Sequence, residues 1–426
     1  MTNIDKRLQK EQNHIENMQA PADFEDRVRK ALDSTNTRKR RLPHKGFAIA
    51  VSLVLFMFIG YHFNTFAFYG KQILGLDEVM SGTLKDLNEA GEGQSIEKSV
   101  NLGNNTKLTI HGLMADENRM IVYYSLFNPN GIEDEYHNLF NPQKLTGFLT
   151  NAMFSSSQGL LNEDGTELKG MMDFEPPSPF SKELTLHYYQ YSEHNEMRKG
   201  EITFPYNPAK AMQTEIKQSI KQTVKVDKGK IKFDSLVASP TLTVVKGKVN
   251  VDNFDRVNLA LHGIELVANG ESIPIMGSGN TTSLFGGREF EVRFDALPEH
   301  VDTLSIVVKE FVGYEKINQS IPLDSTETTI GNHDLLIKNV SASQEQVEVR
   351  IATEEDVMLD DVSIESSEGK VALETTTNQV DSKQKDGRIM KERTLIFKTQ
   401  TKPETIHIGG MHYMKQYNKS IEVPVD

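Results

Sequence analysis

The stretch GFAIAVSLVLFMFIGYHFNTFAFYG, residues 46–70, decides how this chain is organised. Residues 46–68 carry no formal charge, and Ser52 is the one polar side chain between 47 and 60. A helix of that length reaches about 34 Å, against a hydrocarbon layer of about 30 Å, so the stretch predicts one transmembrane α-helix. A buried core helix would show a polar face, which is missing. A cleavable signal peptide has a short basic leader and a small-residue cleavage site, whereas 45 residues precede this run and no such site follows it. The aromatic end, 61–69, suits a membrane interface.

The flanks set the orientation. Between Arg27 and Lys45 the charge is +7, while Lys71, Asp77 and Glu78 follow the run. By the positive-inside rule the N-terminus is expected in the cytoplasm and the C-terminal part outside, in a single-pass protein of the cell membrane. Of the net charge of −13, residues 1–45 hold +4 and the remainder −17. Arg38, Lys39, Arg40, Arg41 and Lys45 are thus read as topology residues that face lipid headgroups.

Residues 1–45 are too few to build a core of their own. Ile4, Leu8, Ile15 and Met18 fall on one helical face, and 22–32 predicts a second helix with Asp23 as its N-cap. The apolar face of that helix is Phe24, Val28, Ala31 and Leu32. An amphipathic face without its own core seeks a partner groove or a membrane surface, so these four are the expected partner-binding residues.

Beyond the span, 69–95 reads as a helical juxtamembrane stalk. From 96 onward, short alternating strands are separated by Asn, Gly, Asp and Pro. A weak repeat runs through them: Val100 to Gly103 before Lys107 to Ile110, Val224 to Asp227 before Lys230 to Phe233, and Thr329 to Asn332 before Asp334 to Ile337. The offsets Ile110 to Phe233 and Phe233 to Ile337 are 123 and 104 residues. A period of about 100 residues is the size of one immunoglobulin-like sandwich. The expected fold is mainly β: tandem immunoglobulin-like β-sandwich domains at 96–208, 209–326 and 327–426, outside the membrane, with one transmembrane α-helix at 46–68 and a short helical cytoplasmic segment at 1–45. Residues 207–223 read as a helical or loop connector, and 155–182, with Pro176, Pro177 and Pro179, as a loop-rich insertion.

Chemistry is sparse. The chain has no cysteine, which excludes thiol nucleophiles, disulfides and Cys-ligated metals. Its acidic balance argues against nucleic acid as a partner. His407 and His412 are five apart, out of phase on a regular strand. Glu133-Asp134-Glu135 and Glu354-Glu355-Asp356 lack the spacing of a calcium loop and read as solvated turns. Ser95-Ile96-Glu97-Lys98 fits Ser-x-x-Lys without its companion motifs. No catalytic, cofactor-binding or metal residue is nominated, so an enzyme is not expected.

Residues 65–127 resemble the bacterial membrane-anchored family known as domain of unknown function four-one-seven-nine. The resemblance rests on Pro21-Ala22-x-Phe24 and the helix to Leu32, the single span, Ala90-Gly91, Gln94, Lys98-Ser99-Val100, and the strand pair around Asp116 and Tyr123-Tyr124. Lys225-Val226-Asp227 through Ser239-Pro240-Thr241 resembles an uncharacterised β domain that often follows it. The resemblance implies an anti-sigma-factor-like regulator, with a short inside segment holding an extracytoplasmic-function sigma factor and an outside sensor. The zinc-binding His-x-x-x-Cys-x-x-Cys signature of some such proteins is absent. Two functions are therefore carried forward. The first is signal transduction from the envelope to transcription, with membrane lipid, a cytoplasmic sigma factor and an envelope component as partners. The alternative is an envelope interaction or adhesion protein whose N-terminal piece only anchors it.

Overall fold

A computed structural model describes residues 76, 78–80, 82–132, 140–191, 197–282, 287–367, 369–384 and 386–425. Phe24, Val28, Ala31, Leu32, the basic residues from Arg38 to Lys45 and the apolar stretch 46–68 lie outside them, as does Glu133-Asp134-Glu135. Among the described residues no helix is long and apolar enough to cross a membrane.

The described chain is mainly β, with several antiparallel sheets. Helix α1 spans Thr83–Glu89 and is the one α-helix among the described residues. Among the described residues of the 69–95 segment, the seven from Thr83 to Glu89 are helical. Gly82, at φ +50°, opens the helix, and strand β1 (Gln94–Gly103) already begins inside the segment. Gly91, at φ +78°, turns the chain between them, as its place in a left-handed region requires.

The first β unit is one eight-stranded sheet folded over on itself. Its order is β1, β2 (Thr106–Ala115), β3 (Met120–Phe127), β6 (Glu167–Phe174), β5 (Thr150–Leu161), β4 (Asn141–Gly147), β7 (Glu183–Tyr191), β8 (Met197–Pro205). Strand β5 makes the fold-over. Its first residues pair with β4 up to Met153, and from Phe154 on it pairs with β6. The expected insertion at 155–182 is therefore mostly β5 and β6, and the prolines sit in the short link that follows. The interior is a cluster that includes Leu108, Ile110, Leu145, Phe174, Leu186 and Phe204, each at most 1% exposed.

The connector 207–223 holds a 3-10 turn at Pro208–Lys210 and then enters β9 (Ile216–Val226). Ile216, Ile220 and Val224 are spaced by four, which satisfies a helical face and one side of a strand equally. Pairing with β10 (Gly229–Ser239) selects the strand.

Two 19-residue strands organise the rest: β16 (Leu304–Pro322) and β24 (Thr405–Val423). At about 3.3 Å per residue each runs for about 60 Å, long enough to serve two cores. Their pairing continues from Leu304↔Val423 to Pro322↔Thr405. One half, with Ile306, Val308, Phe311, Ile421 and Val423, packs with Ile231, Phe233 and Phe290. The other half, with Ile321, Ile406, Ile408 and Met411, packs with Leu335, Val349, Ile351 and Phe397. The repeat divides the chain after 326, whereas the two hydrophobic cores divide these strands near Gly313 and Tyr413, which pair with each other. Residues 414–425 thus return to the core built by 224–312.

At this waist His412 is 6% exposed. Asn253 Nδ2 donates to Gly313 O and to His412 Nδ1, both at 3.1 Å, and the Tyr314 ring lies 5.0 Å from the imidazole. Gly410 makes room, since a Cβ there would stand 2.3 Å from the Tyr314 hydroxyl. Burial, helped by Arg256 and Lys228 and opposed by Asp360, holds the imidazole below its ordinary value. The unfolded chain therefore takes up this proton first, and stability falls as pH drops below about 6.5 towards the depressed folded value. The Tm of the wild-type chain is expected to fall between about pH 7 and 5.5 more steeply than that of His412→Gln; equal slopes in thermal scans would refute this.

Candidate functional site

The segment that follows the apolar stretch packs onto the first β unit. Leu76, Val79, Met80 and Leu84, all at most 7% exposed, form a cluster with Met114, Ile121, Tyr123, Met171 and Met212. The sequence of β3, MIVYYSLF, explains the seat. Met120, Val122 and Tyr124 face the interior, while Ile121 and Tyr123 face the other side of the sheet. A strand apolar on both faces needs two covers, and 76–84 is the second. Tyr123 is fully buried, and its hydroxyl donates to Met114 Sδ at 3.7 Å. Burial pushes its phenol well above the usual tyrosine range.

A hydrogen-bonded latch lies at the same end of the unit. The β2–β3 turn, Asp116 to Arg119, meets the two-residue turn Pro240-Thr241 between β10 and β11 (Leu242–Val251). Asp116 is 5% exposed. Its Oδ1 accepts from the backbone of Asn118 at 2.9 Å and Arg119 at 3.1 Å. Its Oδ2 accepts from Thr241 N at 3.1 Å and Thr241 Oγ1 at 2.5 Å. Asn118 Nδ2 donates to the carbonyls of Val237 and Leu242 at 2.9 and 2.7 Å. Arg119 donates to Thr241 O at 2.7 Å and to Asp173 Oδ1 at 3.0 Å. Asp and Asn suit this turn because their short side chains bind nearby backbone, which leaves the spare oxygen for the partner turn.

Charges rim the latch. Glu117 accepts from Thr214 at 2.7 Å and pairs with Lys217, whose hydrogen bond leads the causes that hold its carboxyl below the ordinary range. Burial, and then the Asp116 charge, push Glu215 up. A cleft of about 570 Å³ opens beside the latch, lined among others by Arg119, Met171, Asp173, Lys246, Glu291 and Arg293. Each of these charges has an opposite partner: Arg119 with Asp173, and Lys246 and Arg293 with Glu291.

The residues singled out in the sequence fall elsewhere. His407 Nδ1 lies 3.1 Å from Ser320 Oγ, away from the His412 cluster. Glu354 holds His333 at 2.6 Å, Lys391 lies 3.9 Å from Glu355, and Asp356 accepts from Met414 N at 2.9 Å, so these carboxylates are engaged separately. Ser95 and Lys98 face Gly112 and Ile110 along the β1–β2 ladder. Among the described residues no group of three or more His, Asp or Glu is arranged to hold a metal ion. Asp116, Tyr123 and Pro240-Thr241 carry the family resemblance in the sequence, but nothing there names them as members of a dock or a latch. The available signal was the unbroken apolar run of β3, which demands cover on both faces.

The fold and dock thus define a multi-unit β protein with the segment 76–84 docked on its first sheet. Residues 37–128 match the family model Domain of unknown function (DUF4179), from the basic run through β3. No curated protein matches the chain. Among solved structures, the conserved domain protein from Bacillus anthracis aligns at 11% identity and TM-score 0.38, covering 74% of this chain and 91% of that one. Bovine butyrophilin aligns at 8% identity and TM-score 0.13, with 46% and 86% covered. A marsupial T cell receptor aligns at 6% identity and TM-score 0.15, with 76% and 99% covered.

Proposed function

We propose that the chain is a single-pass, anti-sigma-factor-like membrane regulator. Its outer β units, read as immunoglobulin-like sandwiches by their size, sense the state of the envelope. Residues 1–45 hold a cytoplasmic sigma factor through Phe24, Val28, Ala31 and Leu32. The observation that carries this reading is the dock. Leu76 is only eight residues beyond the uncharged stretch 46–68, and it is buried against the first β unit. A change in that unit is therefore felt at once by the chain leading into the span. The family match supports the same reading, since 37–128 covers the basic run, the apolar stretch and most of the dock in one piece. The expected result of a pull-down with residues 1–45 is recovery of a sigma factor, lost in Phe24→Asp; an empty pull-down with the wild-type segment sinks the proposal.

A second reading, an envelope interaction protein, draws on one feature. Phe148, Leu149 and Phe180 are 66%, 74% and 67% exposed, and the two loops that carry them are tied by Thr150 and Ser181 at 2.7 Å. Exposed apolar clusters of this kind are contact surfaces. Under this reading, exchanging residues 1–37 for an unrelated basic leader leaves function intact; under the first it abolishes the transcriptional response.

A further inference from the structure

Four of the nine buried residues in the dock are methionines: Met80, Met114, Met171 and Met212. In a chain with no cysteine, thioethers are its readily oxidised sulfur. Met171 belongs both to the dock and to the wall of the 570 Å³ cleft, so a small oxidant in the cleft reaches the dock through it. Met114 is 0% exposed, and beside it stands the buried Tyr123. Met80 is carried by the docked segment itself.

We propose that this methionine cluster is an oxidant-responsive site, and that conversion of Met171 to its sulfoxide by hypochlorous acid releases residues 76–89 from the first β unit. In the reaction the thioether sulfur loses two electrons and gains one oxygen atom. Hypochlorous acid gives up that oxygen and leaves as chloride and a proton. The product exchanges a flexible apolar side chain for a polar one with a strong acceptor oxygen. Within the dock, Leu76, Val79, Leu84 and Ile121 offer that oxygen no side-chain donor, and the Tyr123 hydroxyl already donates to Met114. Segment 76–84 is the part that yields, because α1 is short and is held chiefly by this cluster, whereas β2, β3 and β6 are held by their ladders. The release itself stands without the sigma-factor reading; its use as a signal to the span rests on that reading.

The test uses the purified full chain in detergent, treated with increasing hypochlorous acid. Peptide mass spectrometry follows sulfoxide at each methionine, with exposed Met197 and Met276 as internal clocks. Trypsin cleavage after Lys85 reports release. Cleavage is expected to accelerate about tenfold or more as Met171 is oxidised, and to slow again after treatment with methionine sulfoxide reductases. Met171→Leu, which keeps the volume and removes the sulfur, is expected to stay protected at the same dose. The proposal is overturned if Lys85 remains protected once Met171 is fully sulfoxide, or if Met171→Leu is released like the wild type. A sigma-factor pull-down that fails while release succeeds would count against the regulator reading alone.

Discussion

A chain cut to residues 209–326 will not hold the second β unit together, while 209–425 will fold cooperatively. The shorter piece contains β9, β10, β11 and β16 but lacks β24, whose second half carries Ile421 and Val423, 8% and 4% exposed in the core. Met414, Tyr417 and Val425 pack around the same core. Fully burying one such side chain contributes about 1.5–3 kcal/mol. The missing group therefore amounts to about 5 kcal/mol or more, comparable with the whole stability of a typical domain. The cut also bares the edge of β16 from Leu304 to Val312, which β24 covers in the intact chain. An unpaired, hydrophobic edge invites aggregation. Urea unfolding followed by circular dichroism, with chromatography for aggregation, checks this. A cooperative, monomeric 209–326 fragment would show that the cores do not divide as described.

The second large effect is expected at the latch. Asp116→Ala removes both carboxylate oxygens from a buried site and leaves the backbone N–H groups of Asn118, Arg119 and Thr241 without that acceptor. The Thr241 N–H and hydroxyl donors are buried, and each buried donor left unsatisfied costs about 1–3 kcal/mol, so the loss should be about 2 kcal/mol or more. It should fall on the connection between the two turns and not on either core, because Leu108, Phe174, Phe233 and Val245 pack without reference to Asp116. Calorimetry is expected to show the first unit melting apart from the rest. A double-mutant cycle with Thr241→Ala should give a coupling of about 1–2 kcal/mol. A single transition unchanged in Asp116→Ala would show the latch to be energetically idle.

Much of the β character was legible in local pattern. The alternation in KLTIHGLM, KIKFDSLV and LTVVKGKV places Leu108, Ile110, Ile231, Phe233, Val245 and Val249 in the cores. The 207–223 connector was not, because Ile216, Ile220 and Val224 recur every four residues, a spacing shared by helix and strand. The apolar face behind the 69–95 reading, Leu76, Val79 and Leu84 among the described residues, covers a sheet from a turn and a short helix. The Asp116 to Arg119 turn reads locally as any polar hairpin tip, and nothing near it in sequence names Thr241, 125 residues away, as its partner.

What the amino-acid order determined alone was local: period-two strands and the turns between them, an uncharged stretch at 46–68 beside a basic run, and a chain without thiol chemistry. What only the tertiary structure decided was which hairpins grip each other, which half of a 19-residue strand serves which core, and what covers the outer face of β3. The reason is physical. Periodicity states that a face must be buried, but the identity of its cover depends on contacts between residues far apart in the chain, and those are chosen by packing.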